Sequence, residues 1–274
     1  MKPEFFGDNR QLFGIYHPPR GKSKPPVRAV VICPPFGQDY IRSHWCLRLM
    51  AGQLARKGIH VLRFDYFGIG DSAGCVQDVQ SLERWEDNVE SAIDRLIQIS
   101  GAQTCQLIGL RTGASLAVRV AQRRSDVNSL LLWEPVEAGT DWVSSMRKLH
   151  AEMLDLWVCK MDTANDDRSE ELLGTLYSRS LIEELDQPLI DWQALYQPHL
   201  IVDLKEHRSR YETLNNSMQK VIFTEDENSW DDLRQLETAW LRPQTTRLIV
   251  ENVEDIFERL IRFKVLSETT EAVS

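Results

Sequence analysis

The chain has 274 residues, 42% hydrophobic and 27% charged, enough to bury a full α/β core as a single domain over 1–274. A formal charge of −9 with no Lys/Arg stripe argues against a nucleic-acid surface. No segment approaches the ~18 apolar residues of a membrane span.

In chain order, Phe5-Phe6, a Gly7-Asp8-Asn9 turn and the run Leu12 to Tyr16 predict an antiparallel hairpin at a sheet edge. A Pro/Gly/Lys loop leads to the apolar run Val27 to Cys33, the pattern of a strand covered on both faces. After Pro34-Pro35-Phe36-Gly37-Gln38, helical spacing of Leu47, Met50, Ala51 and Leu54 predicts a helix from about Ser43 to Lys57, stopped by Gly58. Ile59 to Asp65 reads as the next strand, followed by the glycine-rich turn Tyr66 to Gly74. Leu82, Trp85, Val89, Ile93 and Leu96 make one face of a second helix.

Cys105 to Leu110 then reads as a strand, entering Gly109-Leu110-Arg111-Thr112-Gly113 and a helix of small residues to about Arg124. Ser129 to Trp133 follows as a strand, closed by Glu134-Pro135. Strand–helix alternation of this kind implies a mostly parallel sheet flanked by helices. Residues 139–191 break the alternation. Trp142, Met146, Leu149, Met153 and Leu156 form a helical stripe, Asp162 to Glu171 is polar, and Leu172 to Leu185 reads as helical again. This stretch is expected to be an all-helical lid insertion. His199 to Leu204 and Lys220 to Thr224 resume as strands. Trp230 to Trp240 and Ile256 to Val265 are expected as closing helices, with Arg247 to Val250 as an extra strand.

The five cysteines, Cys33, Cys46, Cys75, Cys105 and Cys159, are widely spaced and include no Cys-x-x-Cys pair. They fit a reducing compartment and give no metal signature. The start, Met1 to Phe6, lacks the apolar run of a signal peptide, so a cytoplasmic location is expected. No dinucleotide-binding glycine motif and no P-loop is present, and no cofactor is expected.

A strand, a tight Gly-x-x-x-Gly turn and a helix together make the layout of a nucleophile elbow, usually Gly-x-Ser-x-Gly. With the Pro34 to Gln38 loop and the Phe64 to Ser72 turn in this order, the chain resembles the α/β-hydrolase superfamily, in its serine-aminopeptidase-like branch. Gly109-Leu110-Arg111-Thr112-Gly113-Ala114 and Leu131-Leu132-Trp133-Glu134-Pro135-Val136 are similar to the exosortase-A-system-associated hydrolases, which show a Gly-Leu-Arg-x-Gly elbow. The resemblance implies an α/β-hydrolase fold and a site built from a nucleophile, a histidine base, an orienting acid and two oxyanion-binding amides.

Arg111 stands where that nucleophile belongs, and a guanidinium has no electron pair with which to attack. The base position after the last core strand is filled by Glu225-Asp226-Glu227-Asn228-Ser229-Trp230, and no histidine follows His207. The triad is therefore read as degenerate. Asp203 matches the acid position, or is a turn residue. His44 and His207 are the candidate substitute bases, against surface roles for both. Ser72, Cys105 and Ser115 are the alternative nucleophiles, none at the elbow.

Arg111, the Thr112 amide, Phe36 and Gly37 form the expected ligand site, since a helix N-terminus and a planar fork of donors both attract anions. The alternative for Arg111 is an ion pair with Asp65, Asp71 or the Glu225–Glu227 cluster. Trp142, Met146, Met153 and Trp157 either line an apolar pocket under the lid or simply pack. Three functions follow: binding of an anionic or acyl small molecule or a protein partner; a hydrolase or acyltransferase acting on an ester, thioester or amide through a non-standard site; or a non-catalytic assembly protein of an envelope or polysaccharide pathway.

Overall fold

The alternating runs at the start of the chain fold as the expected hairpin, β1 (Lys2–Phe6) antiparallel to β2 (Leu12–His17). β3 (Ala29–Cys33), α1 (Gln38–Arg56), β4 (His60–Phe64), α2 (Glu83–Ser100), β5 (Cys105–Leu110), α3 (Thr112–Ala121) and β6 (Val127–Trp133) follow in strand–helix alternation. Beyond α4 (Gly139–Leu156), β7 (Ser169–Leu172), β8 (Thr175–Ser178) and α5 (Arg179–Leu185) come β9 (His199–Leu204) and β10 (Gln219–Thr224). The computed structural model describes residues 1–21, 26–156, 168–212, 218–236 and 238–253.

Eight strands form one sheet in the order β1-β2-β4-β3-β5-β6-β9-β10, antiparallel at β1–β2–β4 and parallel from β4 to β10. All five residues of β3 and all six of β5 are buried, because helices cover both faces. One core packs α2, α3 and the insertion against one face, around Trp85, Val89, Leu107 and Leu116. The other packs α1 and the helical residues 243–253 against the opposite face, around Met50, Leu54, Ile108 and Ile249. The ends of β3, β5, β6 and β9 therefore meet along one edge, where ligands bind in open α/β sheets.

Four expectations are corrected. α1 starts at Gln38 rather than near Ser43, because Gly37 (φ 62°) turns the chain directly into the helix. The insertion is not all helical. Leu173 (φ 50°) and Gly174 (φ 78°) form a two-residue turn with both φ positive, so the stretch expected to be helical opens as the hairpin β7–β8. Helix resumes only at α5, where the Ser178 hydroxyl caps the Leu181 amide.

The extra strand expected at 247–250 lies within helical residues 243–253, where Thr246, Ile249, Val250 and Val253 bury one helical face. Among the described residues between Trp230 and Trp240, the helical element is the 3₁₀ turn Leu233–Gln235. The two tryptophans instead bury and pack together, ring centroids 4.5 Å apart. The expected helix at 256–265 and Trp157 fall outside the described residues.

Candidate functional site at the β5–α3 elbow

The turn from β5 into α3 is as tight as the glycine spacing predicts. A Cβ on Gly109 would lie 2.3 Å from Ala114 Cα, and one on Gly113 would lie 2.2 Å from the Pro34 carbonyl oxygen. Arg111 takes φ 53°, ψ −123°, a conformation that side chains rarely adopt and that costs ~1–3 kcal/mol. Backbone bonds hold it there: its N–H donates to the Trp133 carbonyl at 2.9 Å, and its own carbonyl accepts from Ala114 at 3.0 Å.

The side chain meets a carboxylate not anticipated from sequence. Arg111 Nε donates to Asp39 Oδ2 at 3.4 Å, and Trp142 Nε1 donates to the same oxygen at 3.3 Å. Asp39 sits in the first turn of α1 and is 1% exposed. Burial raises its pKa, opposed by the Arg111 and Arg42 charges and by the Trp142 hydrogen bond. The guanidinium carbon of Arg111 lies 5.2 Å from the Trp230 ring centroid, with Arg42 5.0 Å from that ring, so one indole serves two cations. Trp230 Nε1 in turn donates to Glu134 Oε2 at 2.8 Å. Burial pushes Glu134 up to about 7, against the pull of Arg111. Among the described residues, neither terminal nitrogen of Arg111 has a hydrogen-bond partner.

Arg111 and His207 line one cavity of about 290 Å³, with Trp142 and Ser145 from α4, Arg210, and Asp231 beyond β10. His207 is one helical turn past β9, and its Nδ1 is 2.8 Å from Asp203 Oδ1. The Leu204 amide also donates to Oδ1, at 2.7 Å, and the Tyr211 hydroxyl donates to Oδ2. Asp203 is 1% exposed, so its carboxylate is held by three donors in a dry setting.

The remaining sequence candidates lie elsewhere. His44 is exposed on α1 and faces a separate small hollow with Tyr40, Arg63 and Asp65. Phe36 is buried between Trp85 and Trp142, with ring centroids 4.5 and 5.2 Å away. Its amide donates to the Thr112 hydroxyl at 3.2 Å, so that N–H is engaged within the protein. Gly37 faces Tyr177, whose hydroxyl would lie 2.5 Å from any Cβ placed there. Asp65 accepts from Tyr40 and from the Asp71 amide rather than from Arg111. Glu225 pairs with Lys205 and Asp226 with Arg242, and the Glu227 carbonyl accepts from Arg242.

Of the alternative nucleophiles, Ser115 donates to the Val136 carbonyl and Ser72 to the Asp65 carbonyl, both at 2.6 Å. Cys105 is fully buried, which drives its pKa up and keeps it a thiol. Met146 is buried in the core, while Met153 packs against it only partly covered. No cluster of three or more metal-ligating side chains occurs among the described residues, and no described helix is long and apolar enough to cross a membrane.

Sequence reasoning missed Asp39, Glu134 and Trp230. Glu134 carried a signal, an acid directly ending an apolar strand. Asp39 carried a fainter one, an acid two residues past the loop glycine.

A family model described as serine aminopeptidase, S33, matches residues 24–214, more than half of the chain. No curated protein matches it. Solved structures with this architecture include an esterase from Pyrococcus furiosus, 14% identical, with a TM-score of 0.63 over 95% of this chain and 90% of that one. Est1E from Butyrivibrio proteoclasticus is 15% identical, with a TM-score of 0.62 over 93% and 99%. A putative hydrolase from Agrobacterium vitis is 16% identical, with a TM-score of 0.59 over 93% and 97%. At such identities the likeness speaks for the fold. Given a family match of that extent on a sheet of this order, the chain belongs to the serine aminopeptidase S33 family and carries an α/β-hydrolase fold.

Proposed function

We propose that this protein binds a small anionic or acyl compound in the elbow cavity, with Arg111 as the anchoring cation, and that its Ser-His-Asp triad is degenerate. The observation carrying this reading is the guanidinium at the nucleophile position, which lines a cavity of about 290 Å³ while its two terminal nitrogens lack partners among the described residues. That volume is near the lower end of ligand pockets, roughly 300–1,000 Å³, and suits a compact ligand. The Asp39 contact engages only Nε, leaving the outer edge of the fork for a carboxylate or an acyl oxygen.

In this reading residues 139–191 act as a lid, since α4 supplies Trp142 and Ser145 to the cavity wall. The Gly109-Leu110-Arg111-Thr112-Gly113 sequence supports membership of the exosortase-associated group and work in the cytoplasm beside an envelope polysaccharide pathway.

The test is titration calorimetry and thermal shift with benzoate, succinate and acetate. Stabilisation by one of them, lost in Arg111→Ala, is the expected result. Equal stabilisation of the two proteins, or of neither, would sink the proposal.

A further inference from the structure

We infer that the Asp203–His207 pair is a water-activating base for the Arg111 cavity, so that the protein hydrolyses a small ester or thioester without a covalent intermediate. This rests on the proposed anion site, because Arg111 supplies the charge that the reaction needs.

The acid position at the end of β9 is kept, and the carboxylate is saturated: Leu204 N–H, Tyr211 O–H and His207 Nδ1 all reach it. A surface histidine needs no such support. An imidazole whose Nδ1–H donates to a buried carboxylate is fixed in one tautomer, with the lone pair on Nε2, and that nitrogen lies 3.7 Å from Glu206 Oε1. Its side chain is 15% exposed, and His207 lines the same cavity as Arg111. That pairing of a fixed base with a fixed cation in one hollow is what water attack on an acyl group needs. Among the described residues, the hydroxyls nearest this site are engaged within the protein: Thr112 accepts from the Phe36 amide, Ser115 donates to the Val136 carbonyl and Ser145 donates to Asp231.

His207 Nε2 takes a proton from water while the water oxygen bonds to the acyl carbon, and the carbonyl π pair moves onto oxygen beside Arg111. When that pair returns, the bond from carbon to the ester oxygen or thioester sulfur breaks. The leaving alkoxide or thiolate takes the proton from His207. Water and ester yield acid and alcohol, or acid and thiol, with no oxidant or metal consumed. His207 is the catalytic base and Asp203 a positioning residue.

The experiment follows hydrolysis of p-nitrophenyl acetate and phenyl thioacetate by the full chain, its His207→Gln, Asp203→Asn and Arg111→Ala variants, and His44→Gln as a control. Each is first checked for folding by circular dichroism and for benzoate binding. A general base of this kind contributes ~100-fold or more. The expected result is turnover without a burst or an acyl adduct in the intact mass. It falls ~100-fold in His207→Gln, is unchanged in His44→Gln, and has an altered pH–rate profile in Asp203→Asn, while His207→Gln still binds benzoate. Benzoate binding with no turnover overturns the inference and leaves the proposed anion site standing. Turnover that survives His207→Gln, or an acyl adduct, overturns it as well. Loss of both binding and turnover in the unmodified chain overturns both readings.

Discussion

Arg111 and Asp39 meet through a single edge: Nε to Oδ2 at 3.4 Å, with the carboxylate shared by the Trp142 indole. The pair joins the elbow to the first turn of α1 and stations a negative charge behind the proposed anion site. Removing that charge while keeping its shape should favour an incoming anion. Asp39→Asn is expected to tighten benzoate binding about tenfold, because one buried charge at this range is worth more than the ~1.4 kcal/mol such a change needs. Calorimetry on the variant decides it, and weaker binding would count against Arg111 as the contact.

The glycines of the elbow are steric requirements. In Gly113→Ala the new methyl would meet the carbonyl oxygens of Pro34 and Cys33 at 2.2 and 2.3 Å, and backbone cannot swing aside as a side chain does. A loss of about 3 kcal/mol or more is expected, read from the urea midpoint. Gly101→Ala, whose Cβ meets nothing within 4 Å, would carry only the strain of its left-handed φ of 72°, ~1–2 kcal/mol, and should lose less.

Trp142 is both wall and support. Its ring packs against Phe36 and Tyr177, and its Nε1–H serves Asp39. Trp142→Ala should cost ~3–5 kcal/mol and enlarge the cavity. A melting temperature unchanged from the parent would show that α4 is not docked as described.

Two buried groups set opposing pH slopes. Burial pushes Glu134 from its usual 4.5 to about 7. Between those values the folded state holds a proton that the unfolded chain releases, so stability falls as pH rises through that window. Burial and the nearby Arg63 lower His17 from 6.5 to about 4. There the unfolded chain holds the extra proton, so stability is lost as pH falls from 6.5 towards 4. Each effect is on the order of 3 kcal/mol, and together they largely cancel. Glu134→Gln, which keeps an acceptor for Trp230, should expose the His17 slope. His17→Gln should expose the opposite one. Urea melts between pH 4 and 8 check both signs.

Much of this protein could be read from residue order alone. Apolar runs at Ala29–Cys33 and Cys105–Leu110, helical stripes at Trp85–Leu96 and Trp142–Leu149, and the two elbow glycines are local patterns, and local periodicity dictates strand, helix and turn. An arginine at the elbow and the lack of a histidine after β10 are likewise facts of the chain as written. Only the tertiary structure decided which carboxylate meets Arg111. Asp39 lies 72 positions away and Trp230 119, and such distant partners are chosen by sheet order and packing. Tertiary structure also turned part of the insertion into a hairpin, since the positive φ at Leu173 carries no strong residue signal. His207 shows the same division. Its place four residues after Asp203 was visible, but its entry into the Arg111 cavity depends on how the turn after β9 packs against residues contributed by three other segments.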